Sequence, residues 1–141
     1  MISKFKDYLR QSGQSVTGPR LRVFEFMQNH HPTTVAAIIQ KLEPEFDRAS
    51  VYRTLNLLRG LDVIHDIVAG GKRMIELSDV FDNHHHHITC LMCGTHETIQ
   101  DDRVEQALAQ IAKTKGYENA THQLQINGIC KACASAQHAT G

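Results

Sequence analysis

Apolar residues recur every three or four positions through about the first sixty residues, and polar or glycine-containing breaks separate them into four stretches. This period predicts four short helices, each with one inward-facing stripe. The stripes are, in chain order, Phe5, Tyr8 and Leu9; Leu21, Phe24 and Met27; Val35, Ile38, Ile39 and Leu42; and Val51, Leu55 and Leu58. Residues suited to N-caps precede the second, third and fourth stretches: Thr17, Thr33 or Thr34, and Asp47.

Two β-prone runs follow, at 63–68 and 72–77, with Ala69-Gly70-Gly71 between them. Glycine supplies the positive φ that a tight turn needs, so this pattern predicts a two-stranded β-hairpin. Helices followed by such a hairpin, or wing, are typical of a winged helix. Residues 1–77 are therefore predicted to form a winged-helix domain.

The composition changes at residue 78, where Asp, Asn and His become frequent, and we interpret 78–84 as a hinge. A second domain is predicted for residues 85–141. It should contain, in chain order, strands at 85–90 and 97–100, a helix that begins at Asp102 with Val104, Leu108 and Ile111 on one face, a strand at 121–126, and the second cysteine pair as its close. The predicted fold class is α+β, a winged helix followed by a small α/β domain.

Charge and hydropathy narrow the class of protein. The 141-residue chain has no formal net charge, yet residues 1–75 carry 11 Lys+Arg against 7 Asp+Glu (+4), and residues 76–141 carry 4 against 8 (−4). This asymmetry suggests one half that faces nucleic acid and an acidic half that suits metal cations. No run reaches the ~18 apolar residues of a membrane helix, and the polar start lacks the apolar core of a signal peptide. We therefore expect a cytoplasmic protein with no membrane partner.

The four cysteines form two C-x-x-C pairs, Cys90 with Cys93 and Cys130 with Cys133. Each pair can place two thiolates on one tetrahedral ion, so the sequence predicts a structural zinc site with four sulfur ligands and no open position for catalysis. The alternative, redox dithiols or disulfides, is less favoured because disulfides are rare in a reducing cytosol. The separation of 37 between Cys93 and Cys130 exceeds the ~15–20 of a simple zinc ribbon, so the ion should join the two ends of a small domain.

Four consecutive histidines precede the first cysteine pair. Alternation on a strand sends them to opposite faces: His85 and His87 to one, and His84 and His86 to the other. Two metal sites can be built in this way, and the carboxylates of Glu76 and Glu105 would add negative charge to them. The alternative is a solvated histidine loop with incidental metal affinity. The adjacent cysteine pairs and the winged helix favour metal sites.

Several motifs resemble the ferric uptake regulator (Fur) family of metalloregulators, over a match that spans about residues 16–133. They are Pro19-Arg20, His31-Pro32, Ser50-Val51-Tyr52-Arg53-Thr54-Leu55, Gly70-Gly71-Lys72 and H-H-H-H-x-x-C-x-x-C-G. The resemblance implies a homodimeric, metal-dependent repressor that binds an A·T-rich palindromic operator in double-stranded DNA. Its second domain would then be the dimerisation domain.

The resemblance also implies how DNA is contacted. The fourth helix would enter the major groove, with Tyr52 on thymine methyl groups and Arg53 at a base edge or phosphate. Arg20 would approach an A·T-rich minor groove, whose negative potential attracts arginine. The predicted DNA-binding residues are Arg20, Ser50, Tyr52, Arg53 and Asn56.

Two further metal sites follow from the resemblance. The regulatory site is predicted to consist of His31, Glu76, His85 and His87, and a second site of His84, His86, Glu105 and His122. Zinc-sensing members often carry a histidine where this chain has His65, normally with an extra cysteine, and no cysteine is spare here. Because Glu76 is a hard ligand, we expect Fe(II) as the corepressor, with Zn(II) as the alternative and Mn(II) as a third cation the site would accept.

Two other classes of protein would also use these histidines. A small metal-dependent hydrolase would need Glu76 or Glu105 as a base, but H-E-x-x-H is absent. A metal-storage protein would give no reason for the exposed Tyr52-Arg53 pair. The sequence therefore predicts a repressor and not an enzyme.

Overall fold

Four helices occupy the first sixty residues of the computed structural model, which describes residues 1–139. They are α1 (Ile2–Gln11), α2 (Gly18–Asn29), α3 (Val35–Leu42) and α4 (Arg48–Gly60). Thr34 and Asp47 cap α3 and α4, because each side chain accepts a hydrogen bond from the backbone amide three residues on, at 3.1 Å and 2.7 Å. Thr33 has a different role, since its backbone pairs with that of Ile75. The four predicted helices are confirmed.

Two strands complete this part of the chain, β1 (Ile64–Ala69) and β2 (Lys72–Leu77), which form a two-stranded sheet. Only two residues join them, Gly70 and Gly71, so the strands are antiparallel. Both glycines have positive φ, +59° and +74°, the conformation that a two-residue hairpin turn requires. The predicted winged helix is therefore present.

The described residues divide into two compact units. The N-terminal unit comprises Met1–Val68 and Lys72–Asn83, and the C-terminal unit runs from His84 onward and includes the turn Ala69–Gly71. Every predicted inward-facing residue of the four helices is buried or partly buried in the core of the N-terminal unit. No helix among the described residues is both long and apolar enough to cross a bilayer.

Phe81 corrects one part of the sequence interpretation. It lies inside the predicted hinge, yet its side chain is only 2% exposed and belongs to the N-terminal core. Its ring packs edge-on against Phe5, Tyr8 and Phe24, with centroids 5.9, 5.3 and 5.2 Å away. The segment around Phe81 is mostly polar and has no helical or strand period. Burial of Phe81 depends on helices more than fifty residues away in the chain.

The C-terminal unit is a three-stranded sheet with two helices. Its elements are β3 (His86–Cys90), β4 (His96–Ile99), α5 (Asp102–Thr114), β5 (Gln125–Gly128) and α6 (Lys131–Ala139). The strand order is β4-β3-β5, with β4 antiparallel and β5 parallel to the central strand. A parallel neighbour needs a long crossover, and α5 lies within it.

Two predictions for this unit were wrong. The last strand was expected at 121–126 but begins at Gln125, because only residues 125–128 pair with β3. The chain was expected to close on the second cysteine pair, but α6 begins there and carries Cys133 in its first turn. The remaining boundaries differ by at most one residue, and the predicted α+β class is confirmed.

Candidate metal sites and DNA-binding face

The four cysteine sulfurs converge at one end of the C-terminal unit, all within 4.8 Å of one another. Parallel pairing of β3 with β5 places Cys90 opposite Gly128. Cys130 follows Gly128 by two residues and therefore lies close to the first cysteine pair. The Sγ atoms of Cys93 and Cys130 are 3.9 Å apart. Zn–S bonds of about 2.3 Å in a tetrahedron put sulfurs ~3.8 Å apart, so the four side chains fit a zinc ion.

Backbone amides and neighbouring thiols shift the acidity of these cysteines in opposite directions. The Cys130 amide donates to the Cys90 sulfur at 3.3 Å, and this bond with others from the Cys93 turn lowers the pKa of Cys90 to about 6. Hydrogen bonding with Cys130 and Cys93 raises the pKa of Cys133 to about 12. Thiols this crowded resist complete ionisation unless a cation lies among them, as zinc would.

A second cluster brings together three imidazoles and one carboxylate within the C-terminal unit, and it contains all four residues predicted for the second metal site. They are His84, His86, Glu105 and His122, with one ligand atom of each lying within 4.8 Å of the others. His84 precedes β3 and His86 begins it, Glu105 lies in the first turn of α5, and His122 precedes β5. The four residues that the family resemblance implied therefore lie close together in space.

The carboxylate of Glu105 lies at the centre of this second cluster. Its Oε1 is 2.6 Å from Nε2 of His86, and its Oε2 is 3.1 Å from Nε2 of His122 and 3.4 Å from Nε2 of His84. Burial opposes ionisation of Glu105, but the hydrogen bond with His86 and the adjacent histidines lower its pKa overall. Nitrogen atoms of His84 and His122 are 3.0 Å apart. Three nitrogens and an ionised carboxylate at these distances suit a divalent cation.

The residues predicted for the regulatory site belong to both units. In the C-terminal unit, the rings of His85 and His87 lie 4.9 Å apart, and those of His84 and His86 lie 4.8 Å apart. These two pairs agree with the alternation predicted for a strand.

In the N-terminal unit, Glu76 lies on β2, is 5% exposed, and accepts a hydrogen bond from Nε2 of His65 at 2.8 Å. This bond raises the pKa of His65. Nδ1 of His31 is 3.5 Å from a carboxylate oxygen of Asp82. Neither of these two contacts was predicted, because each joins residues from separate elements. The one sequence signal for Asp82 is its position as an acidic residue close to the histidine run.

The exposed side of α4 carries four of the five predicted DNA-binding residues. Tyr52 is 46% exposed and Arg53 and Asn56 are exposed, whereas Val51 and Leu55 on the other side are fully buried. Ser50 is partly exposed and accepts a hydrogen bond from Arg53 at 3.0 Å. Ser50, Tyr52, Arg53 and Asn56 are therefore all accessible to solvent on α4.

Arg20 lies apart from this face, near the start of α2, where it donates to the carbonyl of Ser15 at 2.5 Å. A link that sequence reasoning missed joins α4 to the wing: Arg59 donates to both carboxylate oxygens of Asp66 on β1, at 2.9 and 3.0 Å. Arg59 also donates to Asn56 at 3.2 Å. This network ties the side chain of Asn56 to the wing.

Similarity to known proteins extends over most of the chain. The model of the Ferric uptake regulator family matches residues 11–127. The ferric uptake regulation protein of Legionella pneumophila is 33% identical over 132 residues, which cover 89% of this chain and 95% of that protein. A solved ferric uptake regulator from Francisella tularensis with iron is 26% identical, covers 86% of this chain and 96% of its own, and superposes with a TM-score of 0.66.

A more distant structure, a zinc uptake regulator complexed with zinc and DNA, is 20% identical and has a TM-score of 0.58. It covers 97% of this chain and 95% of its own, and at that identity it shows the fold alone. The family match over most of the chain, and a relative one-third identical over nearly its whole length, identify the family. The chain belongs to the ferric uptake regulator family, whose members are metal-responsive transcriptional regulators and not enzymes.

Proposed function

We propose that this protein is a repressor that binds an A·T-rich palindromic operator as a homodimer when a divalent cation, most favourably Fe(II), is bound. The observation that carries the proposal is the convergence of His84, His86 and His122 on the Glu105 carboxylate, which is a cation-binding arrangement in a chain of a regulatory family. A regulator of this kind acts where the DNA is, in the cytoplasm.

Structural zinc is assigned to the four cysteines. The spacing of their sulfurs suits tetrahedral coordination of one ion. Cys90 ends β3, Cys130 lies between β5 and α6, and Cys133 lies in α6. None of the residues of α5 is buried, so the C-terminal unit has little apolar core of its own. Zinc binding would therefore contribute a large share of its folding free energy.

The regulatory cation would be held by His31 and Glu76 from the N-terminal unit and by His85 and His87 from the C-terminal unit. Ligands from two units can bind one ion together only when both units adopt a suitable relative orientation. Cation binding would then favour that orientation by its differential affinity, which is how metal would control DNA binding.

Fe(II) is favoured because both histidine-containing ligand sets offer nitrogen and carboxylate oxygen without sulfur. The relative from Francisella tularensis was solved with iron, which supports the same choice. A zinc-sensing repressor is the alternative, because imidazole nitrogen and carboxylate oxygen are also ligands of Zn(II). Anaerobic measurement of the affinities for Fe(II), Mn(II) and Zn(II), together with operator affinity, would distinguish the two repressors. If Zn(II) alone induces DNA binding at sub-micromolar concentration, iron is excluded as the corepressor.

DNA recognition is assigned to α4, with Tyr52, Arg53, Ser50 and Asn56, and to Arg20 in a minor groove. An Arg53→Ala variant should lose operator affinity while its metal uptake stays the same. Arg103→Ala is the control, because this exposed arginine lies on α5 and pairs locally with Asp101. Unchanged DNA binding by the Arg53→Ala protein would leave metal storage as the better explanation of the histidines.

A further inference from the structure

The buried carboxylate of Glu76 has a close partner that the regulatory site as predicted leaves out. Glu76 is 5% exposed, between Ile75 and Leu77, which are 1% and 2% exposed. A carboxylate that is removed from water needs hydrogen bonds to offset the loss of hydration. Nε2 of His65 supplies one, to Oε1 at 2.8 Å.

The hairpin itself brings these two residues together. Because β1 and β2 are joined by two residues, counting outward from the turn pairs Ala69 with Lys72 and, four positions further, His65 with Glu76. Residues directly opposite on antiparallel strands have Cβ atoms about 4.5–5.5 Å apart, so their side chains meet on one face. The contact is therefore set by backbone pairing and does not depend on a flexible loop.

The hydrogen bond restricts what Glu76 can offer to a cation. A hydrogen bond from an imidazole N–H to Oε1 restricts rotation of the carboxylate and so sets the direction that Oε2 faces. Metal-binding side chains are commonly oriented in this way by a hydrogen bond from a neighbour, and loss of the neighbour typically costs 10–100-fold in metal affinity.

We propose that His65 is a positioning residue of the regulatory site: its Nε2 holds Oε1 of Glu76, so that the carboxylate presents one oxygen in a fixed direction to the cation. This inference rests on the proposed function, because it requires Glu76 to be a ligand. His65 itself belongs to none of the groups of metal-binding side chains that converge among residues 1–139. Its ring nitrogen is directed at Glu76 and acts on the metal through that carboxylate.

Three variants test the proposal. His65→Gln keeps a donor at a position close to that of Nε2, His65→Leu removes the donor at similar size, and Glu76→Gln removes the carboxylate charge. Each would be made in a His122→Ala background, which disables the second cluster, and in protein that retains its cysteine-bound zinc. The readouts are Co(II) affinity by competition with a chelating dye, the Co(II) d–d absorption spectrum, and the melting temperature without added metal.

A positioning role predicts Co(II) affinity within about threefold of the parent for His65→Gln and 10–100-fold weaker for His65→Leu, with an unchanged spectrum for His65→Gln. Equal large losses in both His65 variants, with an altered spectrum, would show that His65 is a direct ligand and overturn the proposal. Lower melting temperatures with unchanged Co(II) affinity would show a purely structural role and overturn it too. If Glu76→Gln leaves the Co(II) affinity unchanged, Glu76 is not a ligand, and the regulatory site of the proposed function is refuted.

Discussion

Replacement of Phe81 by alanine should destabilise the N-terminal unit by about 3–5 kcal/mol, even though the residue lies in a polar, hinge-like segment. Its side chain is 2% exposed, and moving a phenylalanine of this burial into water costs about 1.5–3 kcal/mol. Edge-on packing against Phe5, Tyr8 and Phe24 and the cavity left behind account for the rest. A loss of this size is a large part of the ~5–15 kcal/mol that stabilises a typical domain.

Urea unfolding followed by far-ultraviolet circular dichroism, with the cysteine-bound zinc retained, measures the effect. Val80→Ala is the matched control, because Val80 is the adjacent residue and is 42% exposed. The control should change the free energy of unfolding by less than ~0.5 kcal/mol. The Phe81→Ala protein should have a lower urea midpoint with a similar slope.

A loss below ~1 kcal/mol for Phe81→Ala, or equal losses for the two variants, would refute this account of the core. It would mean that the segment after β2 is solvated, as the sequence pattern suggested. Phe81 is followed by Asp82, whose carboxylate oxygen lies 3.5 Å from Nδ1 of His31.

Three further outcomes are expected. Thr34→Ala should lower stability by about 1 kcal/mol in thermal melts while Thr34→Ser does not, because only alanine removes the cap on α3; equal effects would contradict the capping role. Cys133→Ser should lose tightly bound zinc by elemental analysis and expose the C-terminal unit to proteolysis, and full zinc retention would exclude a four-sulfur site. Asp47 has a lowered pKa through its hydrogen bonds with Ser50, so its stabilising effect is present above the unfolded pKa near 3.8 and is lost as pH falls through the lower folded value. The parent protein should therefore be more stable than Asp47→Asn by a margin that shrinks as the pH is lowered from 5 to 3, as measured by urea midpoints. A constant difference in stability would contradict this reasoning.

The helices and the wing could be predicted because their signals are local. An apolar stripe such as Val51, Leu55 and Leu58 repeats within one helix, and Gly70-Gly71 specifies its own turn. The cysteine pairs and the His84–His87 run carried the same kind of short-range information. For these reasons the α+β class and the two clusters of the C-terminal unit followed from spacing and resemblance.

The features that were missed depend on how separate elements pack or pair with one another. Phe81 is buried by α1 and α2, and the last strand begins only where β3 can pair with it, at Gln125. The hydrogen bond from His65 to Glu76 requires the hairpin register, and the contact between His31 and Asp82 joins the end of α2 to the segment after β2. Such contacts leave no period or motif in the sequence.

The central claim is that a cation other than the cysteine-bound zinc controls DNA binding. It is tested most directly by fluorescence anisotropy with a labelled A·T-rich palindromic operator, under anaerobic conditions, with protein whose regulatory metal has been chelated and whose four-sulfur zinc remains. Added Fe(II) should tighten operator binding by at least tenfold, and the tightened binding should weaken steeply as salt is raised. Operator affinity that is the same before and after Fe(II), Mn(II) or Zn(II) is added would contradict the account.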